Sequence, residues 1–406
     1  MIRGAGIGAR ALLEFRPVPP FPVIELRTAR TSDHPWVFRK MIARADPRAR
    51  PGDRVRVLDR SGAEIGQALF NPRSQIALRM LTDRPSPPLE DTWLAGRLAA
   101  ADSLRRKTLG LEAVTDAYRV VYSEADGLSG LVVDRLGGSL SVELFSLGMQ
   151  AWLPGILAGL KALYPGFPIH VRLDKRSAEL EGMSPLPAAA APRPSEVREH
   201  GLAFEADLGE GHKTGFFCDQ RDNRQALLPF VKGRRVLDAF CHTGAFGIFA
   251  AAKGGAAAVT SVDLDEKALA IAQRNAKRNG AEVAFQQADM FDFLRGAAGA
   301  GRKWEVIVLD PAKFARGEKG VESALRSYED INRLALGVLE PGGILLTCSC
   351  SGAVSEEAFG AAVHRAARMA GRRLQVLMMR GAAPDHPIAL HCPETAYLKA
   401  LFCRAR

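Results

Sequence analysis

From Arg234 onward the chain repeats one local grammar. Short apolar runs, "RRVLDAF", "AVTSVDL", "VAFQQAD", "WEVIVLD" and "GGILLTCS", are separated by helical stretches such as "GIFAAAKGG" and "EKALAIAQRNAKRNG", the latter closed by Gly280. Hairpins need only a few residues between strands, whereas this spacing leaves room for a crossover helix each time. The pattern predicts an α/β domain built on a parallel sheet with helices on both faces. Ligands of such sheets bind beyond the carboxyl ends of the strands, so the residues at those ends carry the chemistry.

The first strand runs into "DAFCHTGAFG", whose Asp238, Phe240, Thr243 and Gly244 are candidates for cofactor binding, with Gly247 beyond them. Glycines between a strand and a helix let a ligand approach the backbone and the helix N-terminus, although a purely structural turn has the same look. The second strand ends at Asp263, which follows Gly244 by 19 positions and is suited to ribose hydroxyls. The third ends at Asp289, suited to an adenine amino group, and the fourth at Asp310 in "LDPAKF". Such carboxylates repel a pyrophosphate and suit a cationic adenosyl ligand, so the charge favours S-adenosyl-L-methionine over a nicotinamide dinucleotide.

The fifth strand delivers "GGILLTCSCSG", with Cys348 and Cys350 one serine apart. Six cysteines in 406 residues are too sparse for a disulfide framework, and C-x-C without a second pair does not resemble a zinc site. Reduced thiols in a cytosol are expected, and no metal. No apolar run approaches a membrane span, and the opening residues read as a frayed tail rather than a signal peptide. A net charge of +10 favours polyanionic partners such as RNA, with an arginine-rich proteome as the competing explanation.

Two proline-rich stretches, "RPSPPL" (84–89) and "SPLPAAAAPRPS" (184–195), divide the chain. Before the first, period-two alternation with Ser61-Gly62 and Asn71-Pro72 turns predicts a small β barrel or sandwich. Between them, a helix closed by Gly110, strands around "YRVVYS", "GLVVDR" and "LSVELFS", a helix "MQAWLPGILAGLKALYP" and a strand "IHVRLD" predict an α+β module.

Together "DAFCHTGAFG", "VDLDEKALAIAQRNAKRNG", "DPAKF" and "TCSCSG" resemble the Rossmann-like, class I S-adenosylmethionine-dependent RNA methyltransferases. In particular they resemble the bacterial family with an N-terminal PUA domain that modifies large-subunit ribosomal RNA at cytosine C5. "HPWVF", "FNPRSQIALRML", "SEADGLSGLVVDR", "GHKTGFFCDQRDNR", "DHP" and "YLKALFCR" extend the resemblance over nearly the whole chain after residue 22. Asp33, Ser129 and Ala312 depart from it, standing where the family tends to have glycine, proline and proline.

The resemblance implies a tail over 1–22, a PUA-like RNA-binding domain over 23–89, a central module over 90–190 and a catalytic domain over 191–406. It implies a cytoplasmic enzyme acting on 23S ribosomal RNA, without a membrane; a homodimer is the one further partner considered. Cytosine C5 is a poor nucleophile, and a thiolate adding at C6 activates it. In cytosine-C5 RNA methyltransferases that thiol lies seven places beyond a Gly-Gly pair, which from Gly343 gives Cys350. Side chains two apart share a strand face, so Cys348 could also face the site, with packing as its expected role.

Asp310 is expected to hold the N3/N4 edge of an extruded cytosine. Gln220, with Lys213 and Arg221, is a candidate for lining the approach of cofactor or RNA, a solvated basic loop being the competing reading. The alternatives are a methyltransferase for another atom or another RNA, and a non-catalytic RNA-binding or ribosome assembly factor that kept the fold.

Overall fold

A computed structural model describes residues 21–30, 32–187, 193–208, 215–315, 317 and 320–406. The alternation in "RVRVL" becomes the strand Arg54–Leu58, which buries Val55 and Val57 and leaves Arg54 and Arg56 half-buried on the other face. Five more strands, Val23–Leu26, Trp36–Phe38, Ile42–Ala45, Glu64–Phe70 and Ile76–Met80, complete a six-stranded sheet around Ile24, Val37, Phe70 and Leu78. The first proline-rich stretch is docked on this sheet. The Gln67 amide donates to Pro87 O (2.7 Å) and Ser86 O (3.0 Å), and its oxygen accepts from Leu89 N (3.2 Å).

Helix Asp91–Ser103 and strands Ala117–Tyr122, Leu131–Leu136, Ser139–Leu144 and Ile169–Leu173 form the middle of the chain. The single helix expected over "MQAWLPGILAGLKALYP" is two, Leu147–Ala151 and Leu153–Leu163. Pro154 has no N–H to continue the helical ladder, so the chain restarts at Trp152. An antiparallel hairpin, Ser195–Glu199 with Leu202–Ala206, was not anticipated from the sequence.

The last part is a seven-stranded sheet: β1 (Arg235–Ala239), β2 (Ala258–Asp263), β3 (Ala284–Gln287), β4 (Trp304–Leu309), β5 (Leu339–Ser349), β6 (Leu374–Arg380) and β7 (Lys399–Ala405). The order is β3-β2-β1-β4-β5-β7-β6. Helices α1 (Ala245–Ala252), α2 (Glu266–Arg278), α3 (Met290–Gly299), α4 (Val321–Val338) and α5 (Glu356–Met369) cover both faces. The first five strands are parallel as expected, but β7 runs antiparallel to both β5 and β6. No crossover helix lies between β6 and β7, only a short 3-10 turn at Pro393–Thr395, and without one neighbouring strands return antiparallel.

Strand order reverses between β1 and β4, opening a crevice at their carboxyl ends. Among the described residues no helix is long and apolar enough to cross a membrane.

Candidate active site

β1 ends in a tight turn rather than an open loop. Phe240 (φ 63°), His242 (φ 48°) and Gly244 (φ 83°) all adopt left-handed backbone, which costs a non-glycine residue about 1 kcal/mol or more. Such strain persists where surrounding contacts over-determine it, and it concentrates at functional sites. Here Asp263 supplies the contacts: its carboxylate accepts from His242 N (2.8 Å) and Asp265 N (3.0 Å). Thus the end of β2 fixes the turn after β1.

Asp238 lies beneath that turn, buried, accepting from Gly247 N at 2.8 Å. Burial pushes its carboxyl up to about 7, with Asp310 and Asp263 adding repulsion. Gly247 is a packing glycine: a Cβ there would lie 2.4 Å from Ser261 Oγ and 3.2 Å from Asp238 Oδ2. Gly244 caps α1 in left-handed conformation.

A cavity of about 650 Å³ occupies the crevice, and of the predicted residues Gln220, Phe240, Asp263, Asp289, Asp310 and Cys350 line it. Asp238 sits behind the wall, and Thr243 lines a smaller adjoining pocket with Arg224 and Phe246. Asp289 is exposed and also caps α3, accepting from Phe291 N (2.9 Å) and Asp292 N (3.2 Å). The sequence reading missed Phe217, Asp219, His242, Lys313 and Leu398 among the lining residues. Phe217 and Asp219 belong to "GFFCDQRDNR", whose position next to the strand ends is a tertiary fact.

The two cysteines separate. Cys350 stands just past β5 on the cavity wall, with Sγ 3.9 Å from Pro311 O. Cys348 is wholly buried among Val306, Val308, Leu346 and Phe402, and burial pushes its thiol far up. The two-residue periodicity that would put both on one face holds only while the strand continues, and β5 ends at Ser349. All six cysteines are free thiols. Behind Cys350, Tyr328 OH receives a hydrogen bond from Ser349 Oγ (2.9 Å) and lies 3.0 Å from Ser351 Oγ.

Arg221 does not line the approach. Its guanidinium is buried against Asp385 at 2.8 Å, because "DHP" folds back over it. Gln220 is buried in the cavity wall, its oxygen accepting from Asn223 Nδ2 (2.6 Å), and Lys213 lies outside the described residues.

Among the described residues, His34, Cys392 and Glu394 hold donor atoms within 4.8 Å of one another. His34 Nδ1 accepts from Trp36 N (3.1 Å), which leaves the ring proton on Nε2 facing Glu394 Oε2 at 3.0 Å. The group is a hydrogen-bonded clasp between the N-terminal sheet and the C-terminal segment.

Residues 183–404 match the family described as S-adenosylmethionine-dependent methyltransferase. The chain belongs to that family. Residues 30–83 of this methyltransferase match the PUA-like domain. It is 37% identical over 377 residues to a protein of Cronobacter sakazakii named ribosomal RNA large subunit methyltransferase I, covering 91% of this chain and 95% of that one. Proteins of the same name from Shewanella denitrificans and Escherichia coli K12 are 38% and 36% identical, with the same coverage. A solved putative methyltransferase complexed with SAH shares the fold, at TM-score 0.78, 20% identity and coverage of 92% of this chain and 96% of that one.

The cofactor of the methyltransferase is S-adenosyl-L-methionine, and the cavity fits it. Its volume suits a nucleoside-sized ligand. Phe217 and Phe240 offer aromatic faces, and Asp219, Asp263, Asp289 and Asp310 give the negative field that a sulfonium and an ammonium require.

Proposed function

We propose that this methyltransferase forms 5-methylcytosine in 23S ribosomal RNA through a covalent adduct between Cys350 and C6 of the target base. The observation that carries the reading is a thiol, Cys350, on the wall of the same cavity that Asp263, Asp289 and Asp310 line. Bound S-adenosyl-L-methionine supplies an electrophilic methyl group. The Cys350 thiolate adds to C6, and the electron pair released to C5 takes the methyl as its bond to sulfur breaks. Loss of the C5 proton to a base then expels Cys350 as thiolate. In this reading Asp310 accepts from the N4 amino group of a cytosine extruded from its stack. Methylation of a ring nitrogen or exocyclic amine needs no such adduct, so the cysteine is what favours C5.

The names of the relatives support ribosomal RNA of the large subunit as substrate, and an excess of ten positive charges supports a polyanion. In this reading residues 23–89 bind RNA, 90–190 connect, and 191–406 catalyse, in the cytoplasm where ribosomes and reduced thiols are found.

The test is methylation of protein-free 23S RNA with labelled cofactor, the label being mapped by mass spectrometry. Label on C5 of a cytosine is the expected result, and Cys350→Ala is expected to lower turnover roughly 10³-fold or more. Label on another atom, or full activity of Cys350→Ala, rejects the assignment.

A further inference from the structure

We propose that Lys399 is a positioning residue for Cys350: its buried ammonium fixes the turn that presents the thiol and favours the thiolate form. The inference deepens the reading above, in which Cys350 is the nucleophile.

Lys399 opens β7, where its Cα is paired with that of Ser349 at the end of β5. It is only 4% exposed, an unusual place for a lysine. Nζ donates to Ser351 O (2.7 Å) and to Tyr397 O (2.8 Å). Those carbonyls belong to the two segments that wall the cavity on this side. Ser351 follows Cys350, while Tyr397 precedes the lining residue Leu398 and donates through its hydroxyl to Asp219, another lining residue. One ammonium therefore ties the cysteine turn to the strand beside it.

Two carbonyls account for the hydrogen bonds but not for the charge, which a buried site accepts only at a cost. The charged and titratable neighbours of Lys399 are Cys350 and Glu356, which favour its protonation, and Lys313, which opposes it. Burial is the largest influence and brings the lysine down to about 8. The burial of Cys350 and the Asp310 carboxylate on the same cavity wall stand against a negative charge there. Lys399 adds a buried cation beside Cys350, and Lys313 an exposed one on the same wall. Its support is present while it is protonated and is lost as pH rises through about 8.

The experiment reads the thiol directly. The full-length protein is treated with iodoacetamide from pH 6 to 10, and alkylation of Cys350 is followed by tandem mass spectrometry, whose fragment ions separate it from Cys348 in the same peptide. Lys399→Met is expected to slow Cys350 alkylation about tenfold at pH 7.5 and to move its pH midpoint upward by about one unit. Lys399→Arg, which keeps the cation, is expected to stay within about twofold of the unmodified protein. Should Lys399→Met not fold, Lys399→Gln keeps donors for the carbonyls, removes the charge, and is expected to slow alkylation similarly.

An unmoved curve in the folded neutral variant overturns the proposal. So does an equal loss in Lys399→Arg, which would assign the residue to packing alone. Because alkylation needs neither RNA nor methyl transfer, this result stands apart from whether Cys350 proves to be the nucleophile.

Discussion

Asp238 was expected to touch the cofactor and instead lies under the turn that would hold it, joined to Gly247 N. Its carboxyl, raised to about 7 by burial, is easiest to keep protonated in the empty protein. That raised value contributes stability that is fully present below the unfolded value of about 3.9 and is lost as pH rises to about 7. A cationic ligand above the turn reverses the preference by favouring the carboxylate. Affinity for S-adenosyl-L-methionine is therefore expected to rise between pH 6 and 8, by up to roughly tenfold per pH unit below the midpoint. Calorimetry in two buffers of different ionisation heat should register proton release, and a flat profile with no release would discard the idea. Ser129, which departs from the family's proline, also finds its reason at this scale. Its hydroxyl donates to Glu124 (2.7 Å) and accepts from Arg79 (3.2 Å), neither of which a proline could do.

The strand–turn–helix unit from β1 to α1 is where sequence pattern and packing agree most closely. Alternation of elements was readable because each apolar run is bounded by turn residues and a helical period. What a glycine is for was not readable. Gly247→Ala puts a methyl group 2.4 Å from Ser261 Oγ, and overpacking of that kind is expected to cost about 1–3 kcal/mol. A lower Tm together with weaker cofactor binding would show it. Gly296→Ala, within α3 and with nothing inside 4 Å of the added carbon, is expected to stabilise by about 0.5–1 kcal/mol. Equal Tm shifts for the two would remove the packing argument. The hairpin escaped notice because its anchors are remote. Ala203 N and Glu205 N donate to Asn279 (2.8 Å) and Asn275 (2.7 Å) at the end of α2.

The molecule is held together by buried arginines. Asp385 accepts from Arg221 Nη2 and Arg119 N, and its carbonyl from Arg105 Nη2, which joins the C-terminal segment to the middle of the chain. Despite burial, which opposes ionisation, His386 and Arg221 hold this carboxyl far below the ordinary range. Asp385→Ala leaves buried Arg221 with only the half-exposed Asp222 at 3.3 Å and is expected to cost about 3 kcal/mol, measurable by urea unfolding. Glu322→Ala, at an exposed pair with Arg326, is expected to change stability by less than about 1 kcal/mol. Comparable losses would mean that the Asp385 contacts are no stronger than a surface pair.

Arg79, Arg105, Arg119, Arg221 and Arg224 are engaged in such pairs. Each pair withdraws a carboxylate together with its arginine, so the excess of ten positive charges is carried by the rest of the chain. By itself the sequence determined the winding of the sheet, the acidic strand ends and the presence of a thiol beside them, because these follow from short-range periodicity and residue chemistry. Only the tertiary structure decided that β5 ends between the two cysteines and so parts them, that Arg221 is a tie and that Lys399 backs the thiol. Each of those depends on where a strand ends or on a partner far along the chain, and no local pattern encodes either.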